Sequence, residues 1–238
     1  VARTAATAAL ADIDPTRPIL LLWLNGTGDR GAEEEFFAAA RRRWGARVEI
    51  VKIAYPARYD YRASVSTGIE ALGQVLDGVA QLRRNRRVQV LLAAESQGAW
   101  VVSDTIADAR RRAAVDRVLL VGHPSVAEHH FHDGRDPGVF EFNHRTDPIT
   151  LPVSGPVEGM LDAVGALVER KDPSGLGNVV AAAVHNPLRA LDFLVGSIRG
   201  AMFGSGGKPD QLVHDPHNYR DHAEQMVAVL AGYIGPRS

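Results

Sequence analysis

The chain has no cysteine. A disulfide framework is therefore excluded, whatever compartment the protein occupies, and so is any thiolate metal site. It has no excess of charge: Lys+Arg total 27 and Asp+Glu 28, a formal net charge of −1. That balance offers no electrostatic footprint for nucleic acid, and no basic stripe stands out. The arginine clusters, Arg41-Arg42-Arg43 and Arg83-Arg84-Asn85-Arg86-Arg87, fall at the ends of helical patterns. Cations are favoured there by the helix dipole and face water. No apolar run is long enough to span a bilayer, which leaves peripheral contact with lipid as the membrane role. The first residues, VARTAATAALADIDPTR, lack the charged, apolar, small-residue order of a signal peptide. Residues 1–17 read as a linker or a trimmed edge, and residues 18–238 as one domain. With 238 residues, 45% of them hydrophobic, the chain can bury one ordinary core.

What is present is an alternation of apolar runs and helical patterns. Residues 18–24 (PILLLWL) form a short apolar run between a proline and Asn25-Gly26, as in a strand buried on both faces. Residues 32–44 read as a helix closed by Gly45, and 47–53 (RVEIVKI) as a second strand. Val65, Ile69, Leu72, Leu76 and Val79 recur at helical spacing. A third strand follows over 88–93, a helix over 98–112, and further strands over 115–121 and 138–143. Strands alternating with helices predict an α/β fold: a mostly parallel central sheet flanked by helices. From 156 to 203 the pattern is nearly all helical, with one apolar face through Val157, Met160, Leu161, Val164, Leu167 and Val168. A second runs through Leu188, Leu191, Leu194, Val195, Ile198 and Met202, after an Asn186-Pro187 start suited to an N-cap and N1 pair. This subdomain, about 153–207, reads as extra core packing or as a cap over a site. A last helix is expected over 219–233.

The sharpest chemical feature is Ala94-Glu95-Ser96-Gln97-Gly98, which follows an apolar strand and opens a helix. A nucleophile elbow of an α/β-hydrolase, usually G-x-S-x-G, has that setting. The tight turn demands small residues two positions either side of the serine; Gly98 keeps one glycine, and Ala94 adds a methyl in place of the other. A serine nucleophile needs a base, and the base an orienting acid. In this fold they follow in the order serine, acid, histidine. Asp147, just past the fifth strand and held extended by Pro148, suits the acid. His214 and His217 both precede the last helix, and position alone does not choose between them; His185 and His222 fall inside helical patterns. An oxyanion hole would draw on the loop Asn25-Gly26-Thr27-Gly28, through Thr27, and on the amide of Gln97. Glu128-His129-His130-Phe131-His132-Asp133 is a rival cluster whose imidazoles and carboxylates suit zinc or nickel. It has no i, i+4 histidine pair, so it reads as a polar rim loop and no metal is expected.

Several segments together resemble the lysin B esterases of mycobacteriophages, which are cutinase-like α/β-hydrolases. That family's His-Gly-Thr-Gly loop is matched by Asn25-Gly26-Thr27-Gly28, and its Gly-Tyr-Ser-Gln-Gly-Ala elbow by Ala94-Glu95-Ser96-Gln97-Gly98-Ala99. Tyr55-Pro56-Ala57, Gly122-His123-Pro124, His144-Arg145-Thr146-Asp147 and Pro216-His217-Asn218-Tyr219 match further family segments in order. The last match favours His217 over His214. The resemblance covers the chain from about Pro18 to its end, including a helical insertion between acid and histidine. It departs at Asn25, where the family has histidine, and at Ala94-Glu95, where it has Gly-Tyr.

The resemblance implies a serine esterase that cleaves the ester joining mycolic acids to arabinogalactan during host lysis. Ser96, Asp147 and His217 would be the triad, Thr27 and Gln97 the oxyanion donors, and no cofactor would be needed. Asn25, Glu95, Tyr55, Leu188 and Leu191 are the candidate substrate-facing residues. The partner implied is a lipid ester of the cell envelope. The enzyme would be made in the infected host's cytoplasm and act at the host wall after release. Two other readings stand beside it: a cutinase-like lipase or carboxylesterase of cellular origin, and a non-catalytic wall-binding module on a hydrolase scaffold.

Overall fold

The computed structural model describes residues 1–14, 16–27, 32–58, 61–124, 127, 129–131, 136–143 and 219–232. Among the described residues the centre is a five-stranded parallel sheet, ordered β2-β1-β3-β4-β5. The strands are β1 (Ile19–Leu24), β2 (Val48–Lys52), β3 (Gln89–Glu95), β4 (Arg117–Val121) and β5 (Val139–Phe142). Their burial follows their place. Every residue of β1 is buried, as are six of the seven in β3, because both strands are covered on both faces. β2 and β5, at the two edges, are only partly buried. The apolar runs of the sequence thus correspond to the centre of the sheet.

Six helices are described: α1 (Ala2–Ala11), α2 (Glu33–Trp44), α3 (Tyr61–Asn85), α4 (Gln97–Ile106), α5 (Ala109–Arg112) and α6 (Ala223–Ala231). One face of the sheet, carrying Leu20, Leu22, Leu92 and Leu120, packs on α1, α3 and α4. The other, carrying Leu21, Trp23, Leu91 and Leu119, packs on α2 and α6. This division has a chiral cause. The chain moves from β1 to β2 in one direction and from β2 past β1 to β3 in the other; right-handed crossovers then send α2 and α3 to opposite faces. The reversal falls between β1 and β3, and open α/β sheets bind ligands beyond the carboxyl ends of the strands at such a point.

Three readings of the sequence change. Residues 2–11, expected as a linker or trimmed edge, form α1, which lies against α3. Its fully buried residues are Ala2, Ala6 and Ala9, and Leu10 is the one large apolar side chain it packs on α3, beside Gly78, too little to make an apolar stripe. The helix expected over 98–112 is interrupted after Ile106, because the Asp108 side chain accepts from the amides of Arg110 and Arg111 and starts α5 afresh. The last helix begins at Ala223, after a single 3-10 turn over Arg220–His222. The helical subdomain expected at about 153–207 lies outside the described residues. Among the described residues, no helix is long and apolar enough to cross a membrane.

Candidate active site

Ser96 sits between the end of β3 and the start of α4, with φ 53° and ψ −120°. A non-glycine residue at such a φ costs on the order of 1–3 kcal/mol, which the surroundings must supply. Here they do so through the sheet itself: the Ser96 amide donates to the carbonyl of Val121 on β4, at 2.8 Å. Behind it stands α4, nearly all of whose residues are buried, so the turn cannot relax by shifting the helix. The first helical rung runs from the Trp100 amide to the Ser96 carbonyl. The earlier amides of α4, beginning with Gln97, have no helical acceptor and can serve an anion.

The elbow's small residues differ in role. A Cβ at Gly98 would lie 2.6 Å from the carbonyl oxygens of both Leu24 and Asn25, which are backbone and cannot swing away. Glycine here brings the start of α4 against the end of β1 and the loop that carries Thr27. Ala94 pairs with Leu24 across the β1–β3 ladder and is fully buried in the core. Its position needs no positive φ. The methyl that replaces the usual glycine is thus accommodated as ordinary core packing.

Four of the remaining sequence-selected residues meet around the same loop. Asn25 is buried, and its side chain is engaged by protein: its carbonyl oxygen accepts from the Trp23 indole N–H, and its amide donates to Glu33 Oε2 at 2.5 Å. Lys52 Nζ reaches the same Glu33 oxygen at 2.8 Å. The Tyr55 hydroxyl donates to the Asn25 main-chain carbonyl at 2.6 Å. Gln97 turns its side chain away from its own amide, donating through Nε2 to the Arg58 carbonyl at 2.9 Å. These contacts brace the loop after β1. Thr27, in the same loop, is half-buried at the carboxyl end of the sheet.

Glu95, the unexpected neighbour of the serine, is 3% exposed. It pairs with Val121, whose side chain lies on the α2–α6 face. On that side its Oε2 accepts from the amide of Ala32, at 2.7 Å, at the N-terminus of α2. A carboxylate is favoured there by the helix dipole and by the unpaired amides. Glu95 thus links the elbow to the start of α2, whose Glu33 holds Asn25. Sequence reading could not find this bond, because its partners are 63 residues apart.

Asp147, His217, Leu188 and Leu191 lie outside the described residues, as do His214 and Gly28. The described chain nearest to the first two converges, however. Phe142, the last residue of β5, packs its ring on Tyr219 with 6.1 Å between centroids, and on His222 at 5.4 Å. Tyr219 is fully buried.

No protein-family model and no curated protein matches this chain. Solved structures do. Lysin B from Mycobacteriophage D29 superposes with a TM-score of 0.58 at 16% identity, over 90% of this chain and 99% of that one. A Trichoderma reesei cutinase, solved with a phosphonate inhibitor, superposes with a TM-score of 0.55 at 17% identity, over 98% of this chain and 89% of that one. The parallel sheet, its covering helices and these likenesses together establish that the chain has the α/β-hydrolase fold.

Proposed function

We propose that this protein is a serine ester hydrolase with Ser96 as its nucleophile. The carrying observation is the strained elbow at Ser96, held at the reversal point of the sheet against a braced, glycine-containing loop. Strain of this kind is kept where a side chain must be presented, and the turn presents the hydroxyl above the sheet. His217 is proposed as the base that takes the Ser96 proton as the hydroxyl attacks the ester carbonyl. Asp147 is proposed to hold the imidazole in the right tautomer. The tetrahedral oxyanion would be met by the Gln97 amide and by Thr27. Collapse expels the alcohol, protonated by His217, and water then cleaves the acyl-enzyme by the same steps in reverse order. One contact supports these partners. Tyr219 follows His217 by two residues, a reach of at most about 7 Å, and Phe142 precedes Asp147 by five. The packing of Tyr219 on Phe142 brings the two flanking segments to one end of the sheet.

The substrate proposed is the mycolyl ester of arabinogalactan, and the setting host lysis at the cell wall. Support comes from the ordered motif matches and from the likeness to the phage lysin B structure. Helices over 156–203, with Leu188 and Leu191, are proposed to line a groove for the acyl chain. The second reading, a cutinase-like carboxylesterase, is favoured by the comparable likeness to the fungal cutinase. Incubating isolated mycolyl-arabinogalactan with the protein separates them. Release of free mycolic acids supports the lysin reading. Hydrolysis of a short p-nitrophenyl ester without mycolate release supports the carboxylesterase, and hydrolysis of neither contradicts both.

A further inference from the structure

We propose that His123, His130 and Glu141 form a binding site for a divalent transition-metal ion, with zinc as the best fit. The site is separate from the Ser96 chemistry and does not depend on it. It lies at the carboxyl ends of β4 and β5. Gly122, at φ 56°, turns the chain out of β4 and is followed at once by His123. Glu141 lies on β5 opposite Leu120, and His130 comes from the connection between these strands. One ligand atom from each residue lies within 4.8 Å of the other two.

The hydrogen bonds around His123 decide what its ring can do. His123 is 1% exposed, and its Nε2 lies 3.0 Å from Ser103 Oγ on α4. The Ser103 hydroxyl has one proton, and the other groups in reach, the Trp100 carbonyl at 2.9 Å and Asp104 Oδ1 at 3.5 Å, are acceptors. That proton goes to one of them, so Ser103 Oγ accepts from His123 Nε2–H. In the neutral ring Nδ1 then carries a lone pair. Nδ1 is buried and has no hydrogen-bond partner, yet it lies 3.3 Å from Glu141 Oε1. That oxygen already accepts from the Phe131 amide at 2.9 Å. Two acceptors then face each other beside a buried nitrogen, an arrangement that a cation between them satisfies.

The distances suit a metal. Zinc bonded to nitrogen and oxygen at about 2.0–2.1 Å in a tetrahedron sets its ligand atoms roughly 3.3–3.4 Å apart. The His123–Glu141 separation of 3.3 Å matches that edge. The His130 ring, with its centroid 4.7 Å from that of His123, supplies the third donor after a small closure. Outer contacts are also in place. Ser103 takes the non-ligating N–H of His123, as the partners of metal-bound histidines usually do. Asn143 Oδ1 accepts from the His123 main-chain amide, and Asn143 Nδ2 lies 3.5 Å from Glu141 Oε2. Two histidines and one carboxylate leave a fourth position for water. A metal here would staple β4 to β5 just before the chain departs toward Asp147.

The test uses untagged, chelator-treated protein titrated with Zn²⁺ by calorimetry and with Co²⁺ by visible absorption. Thermal midpoints are measured with and without metal. The proposal expects uptake of one ion per chain, a tetrahedral Co²⁺ spectrum and a higher midpoint when loaded. His130→Ala and Glu141→Gln should each weaken binding by roughly tenfold or more. His129→Ala, whose ring contacts Asp104 instead, should leave it unchanged. No uptake at micromolar zinc would overturn the proposal and make His123–Glu141 a proton-bridged pair. Uptake undiminished by both His130→Ala and Glu141→Gln would overturn it as well, by assigning the ion to other donors.

Discussion

Glu95 Oε2 accepts the Ala32 amide at 2.7 Å, so the residue beside the nucleophile is tied to the start of α2, which also holds Asn25 through Glu33. The carboxylate therefore acts on loop position through a buried bond. Glu95→Gln retains an oxygen that can accept from Ala32 and loses the charge–dipole part of that contact, about 0.3–1 kcal/mol. Glu95→Ala leaves a buried N–H without a partner, a cost of ~1–3 kcal/mol. Displacing Thr27 should also lower kcat by roughly tenfold to a hundredfold, with a smaller effect on KM. Urea melts and ester kinetics on both variants check this. Equal changes in KM for the two variants, with unaltered stability, would instead make Glu95 a substrate contact.

Gly98 is the second point where the elbow and the loop meet. Gly98→Ala places a methyl 2.6 Å from two main-chain oxygens. Overpacking costs ~1–3 kcal/mol, and the upper part of that range is expected because neither neighbour is a movable side chain. The thermal midpoint should fall, and activity should fall further than stability alone explains. Ala94→Gly is the contrasting variant. It opens a small buried space and removes no clash, so it should lower stability with less effect on kcat.

The entry to β5 is pinned by Arg112, whose Nε and Nη2 donate to the two carboxylate oxygens of Asp136 at 2.6 and 2.7 Å. Those bonds chiefly, with the Gly138 amide also donating, hold the Asp136 carboxyl below its ordinary value of 3.8 against the opposing effect of burial. A lowered carboxyl pKa in the folded state means stability that is complete above the ordinary value. It is lost as pH falls through that value toward the lowered one. Asp136→Asn should therefore cost about 1–2 kcal/mol at neutral pH, a figure discounted for the pair's partial contact with water. The gap between variant and parent should shrink as acid is added below pH 3.8. Denaturant melts across pH measure it, and a gap that stays constant into acid would refute the assignment.

The legible parts of the fold were those written in large apolar side chains. β1 and β3, buried on both faces, showed as continuous runs, and α3 showed as a stripe through Val65, Leu72, Leu76 and Val79. α1 was not legible, because its seam is alanine with a single leucine, Leu10. The elbow at Ser96 was readable as a local motif, since a strand, a tight turn and a helix follow one another within a few residues. Its supports were not. Val121, Ala32, Tyr55 and Arg58 reach it from other elements, through main-chain groups or bonds that no local spacing encodes. The histidine cluster shows the same limit: His130 was visible beside His129, but its companions His123 and Glu141 are joined to it only by the β4–β5 pairing.

The proposed function requires Ser96 to be an activated nucleophile. An alkyl phosphonate p-nitrophenyl ester tests it most directly, because its phosphorus traps a serine oxygen as a stable adduct and releases one p-nitrophenol per site. Intact mass and peptide mapping then locate the label. One adduct per chain is expected, on Ser96, with loss of esterase activity in step with labelling and no adduct on Ser96→Ala. A protein that hydrolyses esters yet carries no label on Ser96, or carries it equally in Ser96→Ala, would contradict it.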